Sequence, residues 1–254
     1  MLKKELKIFG SLTLFVALAA TLFANDKVIH GATLEWGPYI GKNIPENGYV
    51  AELMKEAFKR MGYRLEFEYM PWARTLEEAK ACKYDVLFPE YMNEERKKDF
   101  YYTDKYPGGP VGFYKKKDKK ISWTGKVEEL KGLKIGTVRG YVNPPEFESS
   151  EAFIKESATD DETNIKKLEK DRLDLIIVDK FVATYIINTK YPAFNTVLEF
   201  IEPALKTYDL YTIFPKKCEN SKSLVRDYNR ILKEMNEDGT IDKVLRKYDF
   251  KYRE

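Results

Sequence analysis

Lys83-Tyr84-Asp85-Val86-Leu87-Phe88 and Lys170-Asp171-Arg172-Leu173-Asp174-Leu175-Ile176-Ile177-Val178 are two versions of one phrase. Each follows a charged helical stretch, turns at an aspartate, enters a short apolar strand and then meets another helix. That helix opens at Asn93 in the first copy and after Asp179 in the second. Helix, tight turn, buried strand and helix together are the grammar of a parallel sheet with helices on its faces. Two α/β lobes built this way, with loops at the carboxyl ends of their strands, make the cleft between them the expected binding site.

Outward from these anchors, alternation and apolar runs predict strands at 28–36, 64–69, 85–88, 111–114, 134–138, 173–178 and 208–214. Pro89 is expected to break the third of them. Helical periodicity predicts helices at 49–61, closed by Gly62, and at 72–83, 127–132, 144–153, 163–171, 180–189, 223–235 and 241–248. Residues 113–212 then behave as an inserted second lobe, and residues 25–112 and 213–254 form the first. Hinge strands fall near 110–115 and 207–213, and two crossings between lobes suit closure around a ligand.

The first residues carry a different signal. Lys3, Lys4 and Lys7 precede an apolar run at 8–23 that ends at Ala24 and gives way to polar sequence at Asn25. This reads as a secretory signal peptide cleaved after Ala24, although Leu22 replaces the small residue usual three positions before the cut. The mature chain is expected in the periplasm. Cleavage would remove three lysines and one glutamate, taking the formal net charge from +3 to +1. So balanced a charge argues against nucleic acid as a partner, and the lysines at 115–120 read as a solvated loop. Cys82 and Cys218 are the only thiols: they either pair in an oxidising compartment or are separately buried. With one histidine, His30, and no close cysteine pair, neither a zinc site, nor a cofactor, nor histidine-dependent catalysis is expected.

Three further pieces carry a family resemblance. They are Leu130-Lys131-Gly132-Leu133-Lys134-Ile135-Gly136, Arg172-Leu173-Asp174 with Asp179 after its strand, and Met235-Asn236-Glu237-Asp238-Gly239-Thr240 with Lys247-Tyr248. In order and spacing, over essentially the whole mature chain, they resemble the amino-acid-binding family of bacterial extracellular solute-binding proteins, the exported receptors of ABC importers. The resemblance implies an α/β, two-lobed periplasmic-binding-protein-like fold. Each lobe would hold a mixed, mainly parallel sheet flanked by helices, and a ligand would be closed between them.

It also implies roles. Arg96 matches an arginine that clamps the ligand carboxylate, a task suited to a planar, always-charged fork; the alternative is an exposed arginine among Glu94, Glu95, Lys97 and Lys98. Asp179 matches an aspartate that receives the ligand ammonium, and it is also a natural N-cap for the helix beginning at Lys180. Trp72 falls where the family places an apolar or aromatic wall, with a core position as the alternative, and Tyr39 matches another cleft-lining position. Arg139 and Tyr141 sit just beyond the 134–138 strand, where backbone N–H groups can hold an anion. Arg74 reads as a salt-bridge partner. The family's small hydroxyl residues before the arginine are absent here. Phe88-Pro89-Glu90-Tyr91-Met92 stands in their place, so Glu90 and Tyr91 are expected to reshape the pocket; a standard α-amino acid is the leading ligand, and a larger or more cationic amine-bearing solute is the alternative.

The function expected is therefore a monomeric, non-catalytic receptor. It would capture a small polar or zwitterionic solute by hinge closure and present it to a membrane ABC permease. Two other classes fit the same scaffold: an exported dehydratase using Glu90 or Asp179 as acid or base, and a sensing module for a membrane signalling partner.

Overall fold

The computed structural model describes residues 27–250; the expected signal peptide lies outside them. In chain order the strands are β1 (Lys27–Thr33), β2 (Tyr63–Tyr69), β3 (Val86–Tyr91), β4 (Phe100–Tyr102), β5 (Pro110–Lys116), β6 (Lys134–Val138), β7 (Ile154–Ala158), β8 (Leu175–Asp179), β9 (Leu198–Thr207) and β10 (Leu210–Pro215). The α-helices are α1 (Tyr49–Arg60), α2 (Trp72–Lys80), α3 (Pro145–Ser149), α4 (Asp161–Glu169), α5 (Lys180–Lys190), α6 (Ser221–Glu237) and α7 (Thr240–Lys247).

The strands form two five-stranded sheets of matching topology, ordered β2-β1-β3-β10-β4 and β7-β6-β8-β5-β9. In the first, β1 pairs in parallel with β2 and β3, while β10 runs antiparallel to both β3 and β4. The second repeats this, with β6 parallel to β7 and β8, and β5 antiparallel to β8 and β9. Each sheet is therefore mixed but mainly parallel, with a single reversed strand. The reversed strands are exchanged along the chain: β5 leaves the first unit to join the second sheet, and β10 returns to the first. The two connections lie side by side, joined by Tyr106 N–H to Leu210 O (2.9 Å), Leu210 N–H to Tyr106 O (2.8 Å) and Tyr208 N–H to Gly109 O (3.0 Å).

Burial explains which strands hold the centre. Every residue of β3 and of β8 is buried, as strands covered by helices on both faces must be. On α1, Tyr49, Val50, Leu53, Met54, Ala57 and Phe58 make one apolar stripe, which packs with Tyr228 of α6 and Phe214 of β10. Phe113, Phe147 and Phe153 do the same work in the second sheet. Gly239, at φ +77°, makes the left-handed turn that divides α6 from α7.

Several expected boundaries move, each for a local reason. Pro89 does not end β3; the strand runs on to Tyr91, and the pairing with β10 shifts register around Pro89, where a residue without an N–H is tolerated. The helix expected from Asn93 is one 3-10 turn, Arg96–Lys98, because the chain re-enters the sheet as β4. α2 stops at Lys80, before Cys82 takes φ +58°. α3 covers only Pro145–Ser149, and β7 follows where no strand was expected. β4 and β9 were not expected either.

Cys82 and Cys218 are joined in a disulfide, which settles the choice left open above. It ties the end of α2 to the loop before α6 across a sequence separation of 136 residues. Constraining a loop this long in the unfolded chain contributes about 4–5 kcal/mol in the chain-entropy account. Replacing both cysteines with serine should therefore lower the unfolding free energy by several kcal/mol in urea titration. An unchanged midpoint would show that the bridge contributes nothing.

Candidate functional site

The site is assembled from the ends of strands in both sheets. Beyond β1 the chain makes a tight turn, with Tyr39 N–H donating to Trp36 O at 3.1 Å, and this places the two rings 4.9 Å apart. Tyr91 ends β3, 5.4 Å from Trp36 and stacked on Tyr208 at 4.3 Å. From the second sheet, Tyr141 follows β6 and meets Trp36 edge-on at 6.1 Å. Asp179 ends β8 and caps α5 through Oδ1, which accepts from Phe181 N–H (2.8 Å) and Val182 N–H (3.2 Å). Its Oδ2 faces the first sheet and accepts from the Tyr39 hydroxyl at 2.9 Å and the Tyr91 hydroxyl at 2.8 Å. One carboxylate thus caps a helix and joins the two units.

Close backbone approach makes this possible. A Cβ on Gly109 would strike the Tyr39 hydroxyl and stand 2.6 Å from Asp179 Oδ2. Gly140, at φ +84°, lies with its would-be Cβ 3.1 Å from Ala73 Cα on α2. Its carbonyl accepts from Arg96 Nη2, while Arg96 Nη1 pairs with Glu90 Oε2. The other Glu90 oxygen accepts from Tyr91 N–H at 2.8 Å. Both partners are withdrawn from solvent, with side-chain exposure of 16% for Arg96 and 3% for Glu90. Burial draws the Arg96 guanidinium below its ordinary pKa, yet an arginine stays charged throughout the accessible pH range.

Between these groups lies a cavity of about 20 Å³, walled by Leu34, Trp36, Trp72, Glu90, Tyr91 and Tyr141. Six of the eight residues singled out by sequence wall it or bond directly to one another beside it: Tyr39, Trp72, Glu90, Tyr91, Arg96 and Asp179. Tyr141 is the seventh, reached from the second sheet. Arg139 is not with them; its side chain is exposed. Arg74 is exposed as well and pairs with Glu78 at 2.7 Å. A larger groove of about 670 Å³ lies elsewhere, between α5 and Tyr248–Phe250, with mostly apolar walls and none of this charge cluster.

Two residues of the site were not singled out from sequence. The sequence presents Trp36 only as the end of a strand; its indole N–H is buried without a hydrogen-bond partner. Asp161 was hidden at a helix start. Its neighbour Asp160 is the N-cap of α4, accepting from Thr163 N–H, so Asp161 is left to turn inward and accept from the Tyr141 hydroxyl at 2.9 Å. The doubled aspartate was the available signal, since only one can cap.

Burial governs the charges. It raises Asp179 to about 6, against the lowering effect of the two tyrosines and two backbone N–H groups. It raises Asp161 to about 7, helped by repulsion from Asp179 and Asp160, while Tyr141 and the nearby Trp36 indole favour ionisation. Tyr91 and Tyr141 are pushed well above their usual value by burial, so both hydroxyls remain donors. Among the described residues no group of three His, Cys, Asp or Glu is placed to hold a metal ion. No described helix is long and apolar enough to cross a membrane.

The comparison with known proteins turns on the whole chain. The family model of bacterial extracellular solute-binding proteins, family 3, matches residues 32–251. The chain belongs to that family. It is 24% identical to the arginine-binding extracellular protein ArtP of Bacillus subtilis over 261 residues, covering 97% of this chain and 98% of ArtP. It is 25% identical to the histidine-binding periplasmic protein of Salmonella typhimurium, covering 96% of each. An ancestral arginine-binding protein bound to arginine superposes with a TM-score of 0.74 at 22% identity, covering 87% of this chain and 97% of that one, which shows the shared fold. The protein is thus a solute-binding receptor of an extracellular or periplasmic family whose members serve ABC transporters. Its matched relatives are binding proteins, and neither the dehydratase nor the sensor alternative is favoured.

The two raised acids give a pH dependence with a definite sign. In the unfolded chain both ionise above about 3.8, whereas the folded state keeps their protons to about 6 and 7. The folded state therefore binds more protons in that window. The stability contribution is fully present below about pH 4 and is lost as pH rises through 6 and 7. Denaturant unfolding should give a higher midpoint at pH 5 than at pH 8, and the double substitution Asp161→Asn with Asp179→Asn should flatten the difference. A midpoint that rises from pH 5 to pH 8 would contradict the burial of these acids.

Proposed function

We propose that the receptor captures a small amine-bearing solute, an amino acid or a related amine, in the cleft between its two lobes and passes it unchanged to an ABC permease. The lobes are those built on the two sheets, and they close about the paired connections near 103–110 and 207–210. The mature chain works as a monomer in the periplasm, after cleavage following Ala24. Asp179 receives the solute's ammonium group, Trp36, Tyr91 and Tyr141 form its walls, and Arg96 with Glu90 sets the far end of the site.

One observation carries this reading. The Asp179 carboxylate, from one sheet, is held by Tyr39 and Tyr91 hydroxyls from the other. A solute that touches this carboxylate touches both lobes at once, and only such a ligand can favour the closed state over the open one.

Calorimetric titration of the mature chain with amino acids and amines should find a tight binder. Asp179→Asn should then weaken binding by about 2–5 kcal/mol, the range for removing one partner of a buried charge pair, with the bound solute recovered chemically unaltered. Unchanged affinity in that variant would remove Asp179 from the site, and recovery of a transformed product would refute the receptor reading.

A further inference from the structure

The charges around the cavity do not balance. Among the described residues that wall it or bond to its walls, Arg96 is the sole cation, set against Glu90, Asp161 and Asp179. That one cation is already engaged, by the Glu90 carboxylate on Nη1 and the Gly140 carbonyl on Nη2. Glu90 is anchored in turn by the Tyr91 N–H and is almost wholly buried, so it is part of the wall and not a passing surface partner.

The remaining two acids have a different company. Asp179 accepts from two phenols and two backbone N–H groups, and Asp161 from the Tyr141 hydroxyl; among the described residues neither has a lysine or arginine partner. Beside them stand the ring faces of Trp36, Tyr91 and Tyr141. Buried acids with neutral donors and surrounding aromatic rings make a setting that attracts an organic cation both by charge and through the ring quadrupoles. A solute carboxylate entering the same space would find no unengaged cation and would meet three carboxyl groups.

We propose that Glu90 fills, from within the chain, the position beside Arg96 that a solute carboxylate would need, and that the solute is an organic cation without a carboxylate: an alkylamine, a diamine or an alkylguanidinium. Glu90 is then the residue that sets specificity. The inference rests on the cleft being the solute site, as proposed above, and it narrows the solute class.

Matched pairs that differ only by a carboxylate test it. The mature chain is titrated calorimetrically with agmatine and arginine, cadaverine and lysine, and histamine and histidine. At least one amine should bind, on the order of 100-fold tighter than its parent amino acid, the scale set by burying an unpaired charge. Glu90→Gln frees Arg96, so the parent amino acid should gain and the ratio should narrow by about ten-fold or more. A parent that binds as tightly as its amine in the unaltered chain overturns the inference, and a ratio unmoved by Glu90→Gln overturns the role of Glu90. If all six fail while a neutral or acidic amino acid binds, this inference falls and the receptor reading stands. If no amino acid, amine or small carboxylate binds at all, the receptor reading falls with it.

Discussion

A single buried carboxylate organises the molecule. Asp179 ends the all-buried strand β8, and its backbone position at the start of α5 obliges one oxygen to satisfy two orphan N–H groups of that helix. The second oxygen is left pointing out of its own sheet, toward the other. Tyr39 reaches it because Gly109, on the connection between the sheets, carries no side chain, and Tyr91 reaches it from the end of β3. The cap, the crossing and the two phenols are thus one constraint expressed in four places, and the walls of the cleft follow from it.

The second half of the site follows the same economy. Arg96 would be an ordinary exposed arginine in a one-turn 3-10 segment if β4 did not pull the chain back into the sheet. That return places its guanidinium against Glu90 and the Gly140 carbonyl in the turn beyond β6. Glu90 can lie inside because it occupies a strand position beside the register shift at Pro89, with its own anchor on the Tyr91 N–H. The result is a neutral clamp joining the lobes on one side of the cavity and a pair of acids without cationic partners on the other.

How much of this was legible depended on where each residue sits. The central strands were readable because burial on both faces demands apolar runs such as Leu175-Ile176-Ile177-Val178. The strands that escaped, β4, β7 and β9, all lie at sheet edges. There one side is open, and a segment such as Ile154-Lys155-Glu156-Ser157-Ala158 can be half polar, carrying no run to recognise. The same logic divides the site. Tyr91 and Asp179 end β3 and β8, where an α/β sheet presents its ligand; Tyr39 and Asp179 stood out through the family resemblance and Tyr91 through the departure from it. The Arg96–Glu90 pairing is tertiary and depends on β4, which the sequence conceals. Asp161 was masked by its neighbour's capping role, and Arg139, equally close to a strand end, points outward to solvent.

The cleft withdraws Asp161 and Asp179 from water with neutral donors alone to hold them. Carbon-13 NMR of the side-chain carboxyls, followed by pH titration of the mature chain without added solute, reads this directly. Midpoints near 6 for Asp179 and near 7 for Asp161 are expected. Midpoints for both near the ordinary aspartate value of about 3.9 would mean that the acids are solvated, and that the shut, acid-lined cleft does not describe this protein in solution.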